Sequence, residues 1–173
     1  MKKLLILSSV IILSAFLLSG LAQADDATEA SAAVHEYFRV FNAKDVEKIA
    51  NDIYLPPVLI GGGETHRIYD DVETAVESLG STYQQFESLG WKESVIADTK
   101  TCILTDDLAL VDTRFSRMTD QGKTIPPDIR TTLYALKKVQ GEWRIIAFFG
   151  HDPERRLSCV TGADGYESGE EKW

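Results

Sequence analysis

The chain has 173 residues, with 27 Asp and Glu against 18 Lys and Arg, and its formal net charge is −9 at pH 7. Nucleic acid and anionic membrane surfaces repel such an acidic chain, so neither is expected as a partner. The length suits one domain with a substantial hydrophobic core.

The first 24 residues have the layout of a secretory signal peptide. Lys2 and Lys3 precede an apolar run over Leu4–Leu18, and the small-x-small sequence Ala22-Gln23-Ala24 follows it. A membrane anchor is the alternative, but the run is short for a bilayer span. We therefore predict cleavage before Asp25, export to the periplasm or out of the cell, and no membrane association of the mature chain.

Two amphipathic helices are predicted after the leader. The first covers about residues 28–43, and its apolar side chains share one helical face: Val34, Tyr37, Phe38 and Phe41. The second follows Asp45, whose carboxylate can accept hydrogen bonds from the free N–H groups of a helix start. Its apolar residues have the same spacing: Val46, Ile49, Ala50 and Ile53.

Two short strands and a third helix come next. Pro56-Pro57 forbids further helix, and the segments "VLI" and "HRIY" are typical of strands. Asp70, with Glu73 three residues later, resembles a capping box and predicts the start of a long helix. Gly90 is placed to end that helix.

The hydrophobic period changes from about 3.6 to 2 after Gly90, which indicates strands. Four antiparallel strands are predicted, over residues 95–104, 108–118, 129–139 and 143–149. One face of the second strand carries alternate residues: Ala109, Val111, Thr113, Phe115 and Arg117. Residues 25–150 are thus expected to form the domain, and residues 151–173 a polar tail.

Three segments carry a family resemblance: "VHEYFRVFNAKDVEKIANDIY", "TDDLALV" and "GEWRIIAFF". In this order they resemble the nuclear-transport-factor-2-like superfamily, also called SnoaL-like or ketosteroid-isomerase-like. The resemblance implies an α+β fold in which a cone-shaped, curved antiparallel sheet wraps on three N-terminal helices. It also implies a pocket inside the cone and a homodimer, while function is not fixed by the fold.

Tyr37 stands where the isomerase branch of this superfamily has an oxyanion-hole tyrosine. Such chemistry also needs a carboxylate base and a second acidic donor. The resemblance places these groups near Gly61 and within Arg130–Thr132, and the sequence has no carboxylate at either place. We therefore expect no catalytic residue, and we expect Tyr37 in the core or the pocket wall.

A small-molecule ligand is expected in the pocket, bound by aromatic and basic side chains: Tyr37, Tyr54, Phe115, Arg117, Arg130 and Tyr134. A symmetric loop centred near Lys123 would place Arg117 opposite Arg130. Two facing arginines repel unless an anion or carboxylates join them, so they could bind an acidic ligand. The alternative is a pair of solvated arginines next to acids such as Asp128.

No metal or other cofactor is expected, because the histidines lack ligand spacing and no Cys-x-x-Cys motif occurs. A histidine–carboxylate pair of the dehydratase kind, His66 or His151 with Asp70 or Asp112, stays open. Two cysteines, Cys102 and Cys159, can form one disulfide in an exported chain, and two separate thiols are the alternative.

The sequence therefore favours an exported small-molecule-binding or accessory module without catalysis. One alternative is a lyase or isomerase that acts on a small organic substrate in the pocket. Another is a structural dimer whose pocket is filled by its own side chains. The three differ in the state of the pocket: apolar and open for binding, polar with a perturbed acid for catalysis, or filled.

Overall fold

The computed structural model describes residues 19–62 and 65–159. The first 18 residues of the predicted leader, and the predicted tail from residue 160 onward, lie outside the described residues. Three helical segments, α1 (Ser19–Asn42), α2 (Val46–Lys48, continued as a π-helical turn over Ile49–Ile53) and α3 (Val72–Ser88), are present. Across the described residues, no helix has the length and apolar character that crossing a membrane requires.

The predicted apolar stripes of the first two helices are confirmed. They are buried as one cluster against the sheet, and the members from α1 and α2 include Val34, Tyr37, Phe38, Phe41, Ile49 and Ile53. Burial of such side chains is worth roughly 1.5–3 kcal/mol each. The helices are therefore held on the sheet chiefly by this face rather than by intrinsic helix propensity.

The break between α1 and α2 is specified by its polar residues. The Asn42 amide donates to the carbonyl of Ser94 at 3.0 Å and accepts from the N–H of Ser94 at 2.8 Å. Lys44 adopts a positive φ of 59°, which reverses the chain. Asp45 then accepts from the N–H of Lys48 at 3.0 Å, as predicted for a helix cap.

The capping residue of α3 is Asp71 and not Asp70. Asp71 accepts from the N–H of Thr74 at 2.8 Å, three residues on. The prediction was wrong by one residue because the two adjacent aspartates have equal capping propensity. At the other end of α3, the Tyr83 hydroxyl donates to the carbonyl of Phe41 at 2.8 Å and joins α3 to α1.

Six strands form one sheet in the order β2-β1-β6-β5-β4-β3. Their bounds are β1 (Tyr54–Gly62), β2 (Thr65–Tyr69), β3 (Trp91–Thr105), β4 (Leu108–Thr119), β5 (Arg130–Val139) and β6 (Glu142–His151). Register shifts in β3 and β6 bend the sheet around the helices. The predicted α+β cone fold is confirmed. One strand pair, β1 with β6, is parallel, since α3 and four strands intervene and supply the long connection that a parallel pair needs.

The predicted register of β4 and β5 is wrong by two residues. Phe115, and not Arg117, lies opposite Arg130, and Thr113 lies opposite Thr132. The reason is that β4 stays paired with β3 beyond the start of β5, and there the N–H of Ile125 in the β4–β5 loop donates to the carbonyl of Arg117 at 2.8 Å. The loop is therefore asymmetric, and β5 begins opposite Phe115.

The segment after β6 crosses the face of the sheet that points away from the helices. Asp112 lies on this outer face of β4, because its neighbour Val111 belongs to the core. Asp112 is fully buried and accepts from the N–H of Leu157 at 2.7 Å and from Arg156 Nε at 2.8 Å. Further on, Cys159 meets Cys102 of β3 as a disulfide, with the two Cα atoms 5.6 Å apart.

Replacement of Cys159 by serine should release the tail. The two cysteines are 57 residues apart. Closing a loop of this length reduces the entropy of the unfolded chain, which raises the free energy of the unfolded state by about 4 kcal/mol at 25 °C. Cys159→Ser should therefore lower the free energy of unfolding by about that amount in urea titrations, and Ser158→Ala should not. Two free thiols in the unreduced wild-type protein, seen by alkylation and intact mass, would contradict the disulfide.

Candidate functional site

A cavity of about 230 Å³ lies inside the cone, between α1, α3 and the inner face of the sheet. Its lining is mostly aromatic and apolar, with two arginines: Tyr37, Phe41, Tyr54, Ile60, Gly61, Gly62, Arg67, Tyr69, Leu79, Thr82, Phe86, Arg117 and Phe148. Neither a carboxylate nor a histidine is among these lining residues. The cavity therefore combines apolar walls with positive charge.

Tyr37 forms the floor of the cavity. Its side chain is buried, and its hydroxyl accepts a long hydrogen bond from the Tyr54 hydroxyl at 3.4 Å. Burial raises the pKa of Tyr37 to about 12, although the hydrogen bond with Tyr54 opposes part of the shift. The hydroxyl is therefore neutral near pH 7, and among the described residues no acceptor takes its proton, which leaves it for an acceptor in the cavity.

Arg117 supplies the positive charge on the sheet side of the cavity. The alternation of β4 brings Arg117 to the inner face, as the sequence predicted. Its guanidinium carbon lies 4.0 Å from the centroid of the Phe86 ring on α3, a cation–π contact. Burial, followed by the positive charge of Arg130, lowers the pKa of Arg117 to about 10, and Arg117 stays protonated at neutral pH.

Arg130 has a different surrounding from Arg117. Its guanidinium donates to the backbone carbonyls of Ile125, Pro126 and Pro127. It therefore holds the β4–β5 loop in place, and it lines a neighbouring groove together with Phe115 and Arg117 rather than the cavity itself. The Arg130 pKa is lowered by burial, against the opposing effect of Asp128.

The structure thus divides the six predicted ligand-binding residues into three groups. Tyr37, Tyr54 and Arg117 meet at the cavity. Phe115 and Arg130 lie in the adjacent groove. Tyr134 is buried behind Tyr37, with ring centroids 5.7 Å apart.

Sequence reasoning missed part of the lining: Phe41, Ile60, Arg67, Tyr69, Leu79, Thr82, Phe86 and Phe148. The apolar stripe of α3 predicts that Leu79 and Phe86 face the sheet, so that stripe could have indicated them. Arg67 is an exposed residue on a short strand, and no pattern in the sequence distinguishes it.

A histidine–carboxylate pair does form, between His151 Nε2 and Asp112 Oδ1 at 3.1 Å. It lies on the outer face of the sheet, away from the cavity. The Asp112 carboxylate also accepts hydrogen bonds from the N–H of Leu157 and from Arg156 Nε. Burial raises the pKa of Asp112, but the hydrogen bonds from Leu157, Arg156 and His151 outweigh it, and the net pKa is below the usual range. The pair therefore fixes the tail.

The part of the chain that the structure describes contains no candidate metal site. Within residues 19–62 and 65–159, no group of three or more His, Cys, Asp and Glu side chains is placed to hold an ion. Arginines, tyrosine hydroxyls and aromatic rings line the cavity instead, and this donor set suits an organic anion or a neutral aromatic molecule better than a cation.

Helices that close the inner face of a curved sheet around an aromatic cavity define an α+β cone protein. The chain belongs to the NTF2-like family DUF6841, whose model matches residues 27–153. The resemblance to the nuclear-transport-factor-2-like superfamily is thereby confirmed. No curated protein matches the chain in sequence.

Solved structures share the fold at low sequence identity. An NTF2-like protein with a cystatin-like fold from Novosphingobium aromaticivorans has a TM-score of 0.64 and 10% identity, over 78% of this chain and 86% of that chain. A protein of unknown function with a cystatin-like fold from Nostoc punctiforme has a TM-score of 0.60 and 13% identity, over 75% of this chain and 93% of that chain. A ketosteroid isomerase-like protein from Erwinia carotovora atroseptica has a TM-score of 0.56 and 17% identity, over 74% of this chain and 98% of that chain. These identities show the fold alone.

The Tyr37 ring should matter more for stability than its hydroxyl. Tyr37→Phe removes only the 3.4 Å hydrogen bond and should lower the free energy of unfolding by at most about 1 kcal/mol. Tyr37→Ala leaves a void among its aromatic neighbours and should cost about 3–5 kcal/mol. Urea unfolding followed by circular dichroism measures both. Equal losses in the two variants would show that the hydroxyl, and not the ring, carries the stabilisation.

Asp112→Asn should destabilise the protein in a pH-dependent manner. Loss of the buried charge leaves Arg156 without this partner, which should cost about 3–5 kcal/mol at pH 7. Because the folded-state pKa of Asp112 is lowered, its stabilisation is present above the unfolded pKa of about 3.9 and is lost as pH falls through the folded value. Urea titrations from pH 7 to pH 3 should therefore show the wild-type advantage constant at neutral pH and shrinking below about pH 4.

Asp106→Asn is the matched control for that titration, since Asp106 is exposed in the turn between β3 and β4. It should leave the unfolding free energy nearly unchanged at every pH. A constant difference between wild type and Asp112→Asn over the whole range would contradict the assigned pKa direction.

Proposed function

We propose that this protein is an exported small-molecule-binding module whose ligand occupies the cone cavity. The observation that carries the proposal is the lining of the cavity: open space bounded by aromatic walls, with arginines and tyrosine hydroxyls but no carboxylate or histidine. Apolar walls with a few convergent polar groups are typical of small-molecule sites.

The volume of the cavity argues against a purely structural role. About 230 Å³ corresponds to roughly eight water molecules at about 30 Å³ each, so the protein's own side chains do not fill the cone. The volume is also below the roughly 300–1,000 Å³ of drug-sized ligand sites. The ligand should therefore be small, on the scale of one ring with a short substituent.

The chemistry of the lining favours binding over lyase or isomerase activity. Proton abstraction from carbon needs a positioned base with a pKa near the working pH. Tyr37 has a pKa of about 12, and Arg117, with a pKa of about 10, is protonated at neutral pH. The pair of His151 and Asp112 lies on the opposite face of the sheet under the tail.

Export is supported by the sequence of the leader and by the cysteines. The leader has a charged, then apolar, then small-residue layout. The disulfide between Cys102 and Cys159 is a bond that persists in oxidising compartments. A module of this kind would meet its ligand outside the cytoplasm.

The experiment is native mass spectrometry of the protein purified from its own host, with a variant that plugs the cavity. Thr82 lines the cavity from α3, and Thr82→Trp places an indole there. Gln84→Trp adds the same indole at an exposed position of the same helix. We expect a small bound mass on wild type and on Gln84→Trp, and its loss from Thr82→Trp. The same spectra report whether the protein is the predicted homodimer.

Two results would contradict this function. One is a bound mass that Thr82→Trp retains in full, since the ligand would then lie outside the cavity. The other is a wild-type protein that carries no additional mass in any preparation and gains no thermal stability from small aromatic compounds.

A further inference from the structure

The arginines of the described residues divide sharply by partner. Five of the eight arginines form ion pairs with carboxylates: Arg39, Arg114, Arg144, Arg155 and Arg156. Arg130 donates to three backbone carbonyls. The remaining two, Arg67 and Arg117, have no carboxylate of residues 19–62 and 65–159 within ion-pair distance, and both line the cone cavity.

Arg117 is the more confined of the two. It is half-buried, and its Nε atom is buried without a hydrogen-bond partner among the described residues. Among charged groups, Arg130 has the largest effect on the pKa of Arg117, and Arg130 is also positively charged. The rings of Phe86 and Phe115, 4.0 and 6.0 Å away, offset part of its charge. A desolvated cation without an anionic partner is unfavourable.

The shortage of partners is local, because the chain as a whole is rich in acid. It carries 27 Asp and Glu against 18 Lys and Arg, yet no carboxylate from the described part of the chain lines the cavity. A ligand carboxylate would supply the missing partner, since guanidinium groups bind carboxylates with two parallel hydrogen bonds. The free proton of the Tyr37 hydroxyl supplies a further donor in the same cavity.

We propose that the ligand of the cone cavity is a small aromatic carboxylic acid whose carboxylate binds Arg117. Arg67, exposed at the mouth, adds positive charge along the entry path. The ring of the ligand packs against the aromatic wall formed by Tyr37, Phe86 and Phe148. This inference rests on the proposed function and adds to it the class of ligand.

The test compares two acids with their uncharged amides by isothermal titration calorimetry. Benzoate and phenylacetate are the acids, and benzamide and phenylacetamide have nearly the same shape without the charge. Wild type should bind each acid at least about 10-fold more tightly than its amide. Arg117→Gln should weaken the acids by about 10- to 100-fold, the range for a hydrogen bond to a charged group, and should leave the amides within about 3-fold.

Two controls separate local recognition from net charge and from misfolding. Arg39→Gln removes the same charge from the exposed surface of α1 and should leave all four affinities unchanged. Arg67→Gln alters an exposed position, so it keeps the test valid if Arg117→Gln does not fold. It should weaken the acids by about 3- to 10-fold and leave the amides unchanged.

The other outcomes overturn the inference in distinguishable ways. If amides bind as tightly as acids and Arg117→Gln binds both like wild type, the cavity takes neutral ligands, and the proposed function stands without the acid. If neither acids nor amides bind to wild type, the assignment of an aromatic carboxylic acid is wrong, and the native mass spectra decide the proposed function separately. If acids bind equally to wild type and Thr82→Trp, their site lies elsewhere and the assignment to Arg117 is wrong.

Discussion

The packing of the Tyr37 ring is the contact on which the rest of the inner face depends. Five aromatic rings lie around it, with centroids 5.6–6.5 Å away: Phe38, Phe41, Tyr54, Tyr134 and Phe148. They come from α1, β1, β5 and β6, so one side chain fixes the helix across three strands. Aromatic pairs at these separations add stability beyond their buried area. The floor of the cavity is rigid for this reason, and the tyrosine hydroxyls are confined to it.

A second constraint, the loop between β4 and β5, determines where the positive charge lies. Arg130 donates to three consecutive carbonyls of that loop, and this satisfies backbone groups that a turn would otherwise leave to water. With its guanidinium held there, Arg130 lines the adjacent groove and not the cavity. Its charge still acts on Arg117 and lowers the pKa of that guanidinium. The two arginines therefore lie close together, but Arg130 holds the loop and Arg117 lines the cavity.

The sequence predicted those features that depend on local periodicity. The face of α1 that carries Tyr37 and the face of β4 that carries Arg117 follow from spacing alone, and the order of elements indicates the superfamily. The register opposite Arg130 was mispredicted because it depends on hydrogen bonds inside an irregular loop. The sequence predicted a polar tail and, apart from the disulfide, no contacts that would hold it on the sheet. Asp112 docks it through charged hydrogen bonds, which a hydrophobicity argument does not detect.

Strand β4 buries two opposite charges on its two faces, and the chain treats them differently. On the outer face, Asp112 accepts hydrogen bonds from Leu157 and Arg156 and pairs with His151. These contacts offset the cost of burying its charge. On the inner face, Arg117 has no carboxylate partner among the residues that the structure describes, and the aromatic rings of Phe86 and Phe115 lie 4.0 and 6.0 Å from its guanidinium carbon. The negative charge is thus balanced by contacts within the described chain, whereas the positive charge lies in the lining of the cavity. The proposed carboxylate ligand rests on this difference between the two faces of one strand.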